Sequence, residues 1–395
     1  MYKEQSIALL NDLKSSNQYR EFKEINRIAG KYPSAYNFNN KINVFCSNDY
    51  LGMSQNKEVM LSMIDAIIKL GAGAGGSRNI GGSHKYFSML ENMLAEWHQK
   101  ESALVFPTGY SSNDASIQCL LRKFPEMIVF SDSKNHASII NGIRSTKNQK
   151  IIFEHNNTYD LESKLKNYSK DTPKIIIFES IYSMDGDVAP IKEIVNLAIK
   201  YNALTFLDEV HAVGMYGKTG AGYAELLSIS DKIDIIQSTM AKGIGIIGGY
   251  ITGEKNIIDL IRSFSSGFIF TTALPPCIVA GCITSVNHIR NSNVERINLK
   301  EKTKYLREKL SEYNIPVLKE STTHIVPVII GNSLKCKQAS EKLLQEYNIY
   351  VQPINYPTVE KGTERFRINV TPNHTHKDID HLCESIHSIF RELSI

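Results

Sequence analysis

The sequence predicts an α/β protein: a mostly parallel central sheet with helices on both faces, followed by a smaller α+β domain. Three observations lead there. Helix-length amphipathic segments alternate with short β-rich runs through most of the chain, the rhythm of strand–helix–strand units. Past Pro275-Pro276 that rhythm changes to a compact mixture of helices and strands. The length, 395 residues, exceeds what a single ordinary core fills, so two domains are expected.

Taken in order, residues 4–29 show helical spacing (Ile7, Leu10, Leu13, then Phe22, Ile25, Ile28), interrupted at Ser15-Ser16-Asn17, and read as an N-terminal helical arm. Ile42–Cys46 is strand-like and runs into the turn Asn48–Gly52. The β-rich runs are Ala103–Phe106, Met127–Phe130, Ile151–Phe153, Lys174–Glu179, Leu204–Asp208, Ile233–Gln237 and Gly249–Thr252. Strands of such sheets are covered on both faces, and their ligands bind at the carboxyl ends. After a long helix over residues 277–291 come Ile325–Ile330, a helix near 336–346, Ile349–Gln352, Arg365–Val370 and a closing helix from Lys377. The expected division is an arm at 1–48, a large domain at 49–285 and a small domain at 286–395.

Composition excludes several classes. The formal charge of +4 spreads over 45 basic and 41 acidic residues, and the lysine-rich stretch 300–309 is interleaved with Glu301 and Glu308, so no nucleic-acid stripe is expected. No apolar run reaches membrane-span length and the first residues lack a signal-peptide core, so a cytoplasmic protein without membrane contact is expected. Six scattered cysteines form no CxxC pair and read as free thiols. No histidine stands at metal spacing, so no metal is expected.

The chemistry gathers at run ends. Asp208 closes Leu204–Asp208, His211 follows three residues on, and Lys242 sits in Ser238-Thr239-Met240-Ala241-Lys242-Gly243-Ile244-Gly245. A lysine in a glycine-flanked turn, downstream of an acid at a strand end, is the pairing pyridoxal phosphate chemistry requires. The amine joins the cofactor aldehyde and the acid keeps the ring nitrogen protonated. Alone, each half also reads as a solvated loop lysine or a capping acid. Pro107–Asn113, where a strand ends at Gly109-Tyr110 and enters a helix, offers free N–H groups to a phosphate, or is a plain connection. His136, in Ser131–Ser138, can stack on a flat ring or be structural. Glu179–Asp187 reads as a polar, cofactor-facing loop in preference to a metal site. Gly71–Gly82 holds six glycines in twelve residues and is either a flexible loop or a substrate-facing one in which Ser77 and Asn79 hydrogen-bond a carboxylate. Thr271 and Thr272 are ordinary strand threonines or phosphate ligands. Arg365 and Arg367 share a strand face, where one can clamp a carboxylate or both can pair on the surface.

Tyr19-Arg20-Glu21-Phe22, Asn135-His136-Ala137-Ser138, Tyr182-Ser183-Met184-Asp185-Gly186-Asp187, Asp208-Glu209-Val210-His211-Ala212-Val213-Gly214 and Phe268-Ile269-Phe270-Thr271-Thr272 resemble, in this order, the α-oxoamine synthases. These are pyridoxal-phosphate enzymes of the aspartate-aminotransferase fold (fold type I). Tyr350-Val351-Gln352-Pro353-Ile354-Asn355-Tyr356-Pro357-Thr358-Val359 is the stretch most specific for the branch that makes 5-aminolevulinate, and the resemblance covers nearly the whole chain. It implies condensation of glycine with succinyl-CoA, pyridoxal 5'-phosphate as cofactor, and a homodimer with shared active sites.

By that resemblance Lys242 is the cofactor-binding lysine and the base for the glycine α-proton. Asp208 meets the pyridine nitrogen, His136 stacks on the ring and His211 contacts the phenolic oxygen. Gly109, Tyr110, Thr239 and Ser183 belong to the cofactor environment, while Thr271 and Thr272 reach the phosphate held by the partner subunit. Arg367 would hold the glycine carboxylate. Arg20, Ser77 and Asn79 would meet the succinyl carboxylate, and Ser131, Lys150 and Thr358 would line the acyl-CoA site. Ser77 stands where the branch usually has threonine, which removes a methyl from the acyl pocket. The alternatives are the same reaction feeding a natural-product pathway, a sister synthase with another acyl-CoA, and a catalytically silent scaffold.

Overall fold

A computed structural model describes residues 1–395. The chain divides into two compact units, one of residues 51–183 and 188–296, the other of residues 1–50, 184–187 and 297–395. The divisions fall at 50/51 and 296/297, where 48/49 and 285/286 were expected, and the arm belongs to the same unit as the C-terminal residues.

The larger unit is built on a seven-stranded sheet in the order Ser102–Phe106, Gly249–Gly253, Ile235–Thr239, Leu204–Asp208, Lys174–Glu179, Ile128–Asp132, Lys150–Phe153. Gly249–Gly253 runs antiparallel to both neighbours, and the pairings from Ile235–Thr239 to Lys150–Phe153 are parallel. Lys174–Glu179 shows why the runs are apolar without alternation. Ile175 and Ile177 pack into one core with Leu120 and Ile139, while Ile176 and Phe178 pack into another with Ile191 and Ile194. Successive side chains point to opposite faces, and here both faces carry helices.

The parallel strands end together at Asp132, Phe153, Glu179, Asp208 and Thr239, and Glu179 lies in register with Asp208. The helices that follow are firmly started. In Gly109–Lys123 the Thr108 side chain accepts from Ser111 N–H, and Ser111 returns the bond to Thr108 N–H. Such reciprocal caps satisfy donors that helix geometry otherwise leaves open. Ala137–Arg144 starts at His136, whose own imidazole accepts from Ser138 N–H.

In the smaller unit, helix Tyr2–Ser15 carries no buried residue. It ends where Asn17 turns left-handed (φ 56°), and the chain then becomes extended, with a short strand at Asn26–Arg27. The helical continuation expected through Phe22, Ile25 and Ile28 is therefore corrected. Phe22 is 95% exposed. Strands Asn26–Arg27, Ser34–Asn37, Asn40–Val44 and Ile349–Tyr350 form one sheet; Val326–Ile329, Arg365–Ile368 and Pro353–Ile354 form another. Most of helix Val294–Glu312 and helices Ser333–Tyr347 and His376–Leu393 complete the unit, the last capped by Thr375 with Asp378. No helix is long and apolar enough to cross a membrane. All six cysteines are free, and all but Cys46 are buried.

Candidate active site

In the larger unit the strand ends bring most of the expected residues together. Asp208 is 3% exposed. One carboxylate oxygen accepts from Val210 N–H at 2.8 Å and the other from Asn113 Nδ2 at 2.7 Å. Burial raises its pKa, while these donors and the charges of His136 and Lys242 pull it back down. Glu179 lies beside it in register, equally enclosed, and accepts from His136 N–H at 2.6 Å. Burial, with Asp208 adding repulsion, pushes Glu179 well above the usual carboxylate range. Two neighbouring carboxyls in low dielectric do not both ionise. Of the two, Glu179 is driven further above its ordinary range, and Asp208, with a donor on each oxygen, is the better held as an anion.

Lys242 Nζ lies 2.6 Å from His211 Nε2, so the chain brings the lysine turn and the loop after Asp208 into hydrogen-bond contact. Glycine permits this approach. A side chain on Gly243 would overlap Val213 and Met215, and Gly214 holds φ +97° with its α-carbon against Gly243. His136 follows the strand Ile128–Asp132 and stands at the start of Ala137–Arg144 with part of its surface exposed. Partial desolvation lowers its pKa; Asp208 opposes that shift and Lys242 adds to it. Tyr110 stands edge-on to it at 6.4 Å between ring centres.

The helix Gly109–Lys123 begins beside this cluster. A Cβ on Gly109 would sit 2.8 Å from that of Thr239, and Gln237 Nε2 donates to Gly109 C=O at 3.2 Å. Thr239 Oγ1 bridges Gly248 C=O (2.7 Å) and Ala241 N–H (3.2 Å), tying the strand end to the lysine turn. The N–H groups of Gly109 and Tyr110 have no acceptor in the chain, as expected for a helix N-terminus that binds an anion. Pyridoxal phosphate fits these residues. A buried anion is available for a ring nitrogen, an amine for an aldehyde, an open imidazole face for a flat ring, and free N–H groups for a phosphate.

Other expected residues sit less simply. Ser77 forms an antiparallel bridge with Thr272, so two expected ligands share one corner of the large unit. The run before Thr271 is a short helix, Ser266–Ile269, which corrects the strand reading of these threonines. Asn79 and Ile80 project into solvent from the wide turn Arg78–Gly82. Ser183 is half-buried. Ser131 is buried and accepts from Asn135 Nδ2 at 2.9 Å. Lys150 is exposed at the start of its strand, level with Val129 rather than with Asp132.

In the smaller unit Arg367 is 7% exposed and donates to Asn48 Oδ1 at 2.9 Å and Tyr50 Oη at 2.6 Å. Arg365, on the same strand, pairs with Asp185 at 2.6 Å. Arg20 Nη2 donates to Thr358 Oγ1 at 3.1 Å in a cavity of about 360 Å³ lined also by Lys23, Lys337, Gln352 and Tyr356. The residues that sequence reading gave no role are Asn113, Ser138, Glu179, Asn48 and Tyr50. Asn113 had a signal: it stands one helical turn beyond Gly109, on the face that the strand ends meet.

The family model described as aminotransferase class I and II matches residues 40–386. A 5-aminolevulinate synthase of Rhizobium meliloti is 50% identical over 390 residues, 98% of this chain and 96% of that protein. The 5-aminolevulinate synthase of Rickettsia conorii is 50% identical over 386 residues, 98% and 93% of the two chains. Among solved structures, a serine palmitoyltransferase from S. paucimobilis with bound PLP superposes with a TM-score of 0.91 at 26% identity, covering 99% of this chain and 98% of that one.

Proposed function

We propose the function of this chain from one premise: it belongs to the class I and II aminotransferase family and, within it, to the 5-aminolevulinate synthases. It condenses glycine with succinyl-CoA to give 5-aminolevulinate, CoA and carbon dioxide, the first step of haem and other tetrapyrrole biosynthesis. The observation that supports this most directly is the strand-end cluster, in which a buried carboxylate and a histidine-contacted lysine meet beside a free helix N-terminus.

Pyridoxal phosphate, when bound, supplies an electron sink that acidifies the glycine Cα–H and accepts the electron pair released with carbon dioxide. The rest falls to the chain. Asp208, its two oxygens oriented by Val210 N–H and the Asn113 amide, would hold a proton at the ring nitrogen. Lys242 takes the α-proton of glycine and returns one after decarboxylation, and a base so positioned contributes roughly 10²–10⁴-fold. His211, within hydrogen-bond distance of Lys242, would contact the phenolic oxygen of the bound cofactor. His136 covers one face of the ring. Gly109 and Tyr110 hold the phosphate, with Thr239 and Ser183 beside it.

Arg367, held in a fixed orientation by Asn48 and Tyr50, grips the glycine carboxylate. Arg20, Ser77 and Asn79 take the succinyl carboxylate. Ser131, Lys150 and Thr358 are assigned to the acyl-CoA. The working unit is a homodimer in which Thr271 and Thr272 approach the phosphate held by the partner subunit, and its place is the cytoplasm.

The test is product identification from glycine and succinyl-CoA with added cofactor. 5-Aminolevulinate and CoA in equal amounts are expected. Turnover with acetyl- or palmitoyl-CoA but none with succinyl-CoA would reject the assignment in favour of a sister synthase.

A further inference from the structure

We infer that Asn113 is a positioning residue: a single amide on helix Gly109–Lys123 holds the Asp208 carboxylate and, through Ser138, the His136 imidazole, so that the two groups bounding the cofactor ring are set together. The inference rests on the function proposed above and goes beyond it, since Asn113 and Ser138 act through Asp208 and His136.

The hydrogen atoms can be followed one by one. Asn113 is 1% exposed, and its Nδ2 lies 2.7 Å from Asp208 Oδ2 and 3.1 Å from Ser138 Oγ. Turning the amide over would aim its oxygen at a carboxylate, so the orientation is fixed by chemistry. Both Nδ2 hydrogens are then spent, one on each acceptor. Ser138 Oγ, having accepted, has its own hydrogen free for His136 Nδ1, 2.7 Å away. Ser138 N–H points at the same nitrogen from 3.2 Å. With two donors aimed at it, Nδ1 is an acceptor, and the imidazole is neutral with its hydrogen on Nε2. The tautomer of the stacking histidine is thus dictated from Asp208 through three hydrogen bonds.

The opposite end of the same amide carries a second clue. Asn113 Oδ1 is buried with no partner, as is Asn135 Oδ1 nearby. A buried acceptor left unmet is a net cost that an apolar side chain of similar size would avoid. What this amide contributes comes from its nitrogen. The charged or titratable groups facing this chain of bonds are Asp208, Lys242, Glu179, the last through the His136 N–H, and Tyr110, edge-on to the His136 ring.

The experiment compares cofactor-loaded wild type with Asn113→Ala, Ser138→Ala and the double variant. Two quantities are read: the dissociation constant for pyridoxal phosphate, and the pH midpoint of the bound cofactor's visible band. Asn113→Ala is expected to weaken cofactor binding by about tenfold or more and to shift the midpoint. Ser138→Ala should shift it the same way by less, because the Asn113–Asp208 bond survives. The double variant should match Asn113→Ala rather than multiply the two effects, as members of one network do. An Asn113→Ala protein with wild-type affinity and midpoint, or multiplicative effects, would overturn the inference. If Asn113→Ala does not fold, Ser138→Ala decides, since an unchanged midpoint there removes the link to His136. A wild type that takes up no pyridoxal phosphate overturns the proposed function as well; one that binds it but ignores these substitutions overturns this inference alone.

Discussion

The strand-end cluster and the glycine-rich loop 71–82 lie in the same unit and are held in opposite ways. In the cluster, Asp208, Asn113, Ser138, His136 and Glu179 each have a bonded partner within the group, and four of the five are buried. In the loop, Gly76 and Ser77 are tied to the Thr272–Ala273 segment and Arg78 is held by a bidentate pair with Glu91 and a ring contact with Phe87 4.3 Å away. Asn79 and Ile80, one and two residues on, face solvent, Ile80 at 81%. A rigid, desolvated cluster suits chemistry that must place charge at fixed points. An open loop anchored over one stretch suits selection among acyl chains, where differences of a methyl group are worth only about 1–3 kcal/mol.

That contrast can be broken or sharpened in steps of decreasing size. Lys242→Ala should abolish 5-aminolevulinate formation, by at least the roughly 10²–10⁴-fold of a positioned base, and remove the visible band of the bound cofactor; a stopped assay with absorbance spectra checks both. Asp208→Asn should lower turnover by about 10²–10³-fold, the scale of losing one preorganised electrostatic partner, with less effect on the KM for succinyl-CoA.

The pH response should separate the two regions next. Enclosure holds the His136 pKa below its ordinary 6.5. A base whose folded pKa is depressed contributes stability above the unfolded value and loses it as pH falls toward the folded one. Cofactor retention should therefore be flat above pH 6.5 and decline only below it. His136→Asn should flatten that decline, while Asn79→Ala should leave it unchanged. Ser77→Thr should have the smallest effect, changing the kcat/KM ratio of succinyl-CoA to a longer acyl-CoA by up to about tenfold with the cofactor band unaltered. A large spectral change in Ser77→Thr would erase the distinction between the regions.

How much of this was legible in the chain follows from the same contrast. Asp208, His211 and Lys242 could be read because apolar runs end abruptly at polar residues, and because glycines mark where two loops must approach. The seven runs all became sheet strands, since they are short and apolar and alternate with helix-length segments. Ser138 was silent because a polar residue on an amphipathic helix looks the same facing solvent or facing a buried group, and Asn113 was marked only by its place one helical turn beyond Gly109. Glu179 was visible as an acid in a loop, but its partnership with Asp208 depends on strand register, which sequence does not give. The threonine run was misread as strand because short apolar segments fit helix and strand alike. The second half of the N-terminal arm was misread for a related reason. Phe22, Ile25 and Ile28 keep helical spacing, but no helix face there is buried to enforce it.

The most direct measurement is borohydride reduction of the cofactor-loaded protein, followed by peptide mass mapping. One phosphopyridoxyl label per chain, on Lys242, is expected. A stoichiometric label on another lysine, such as Lys134 beside the strand ends, would contradict the assignment of Asp208, His211 and Lys242 as one cofactor site.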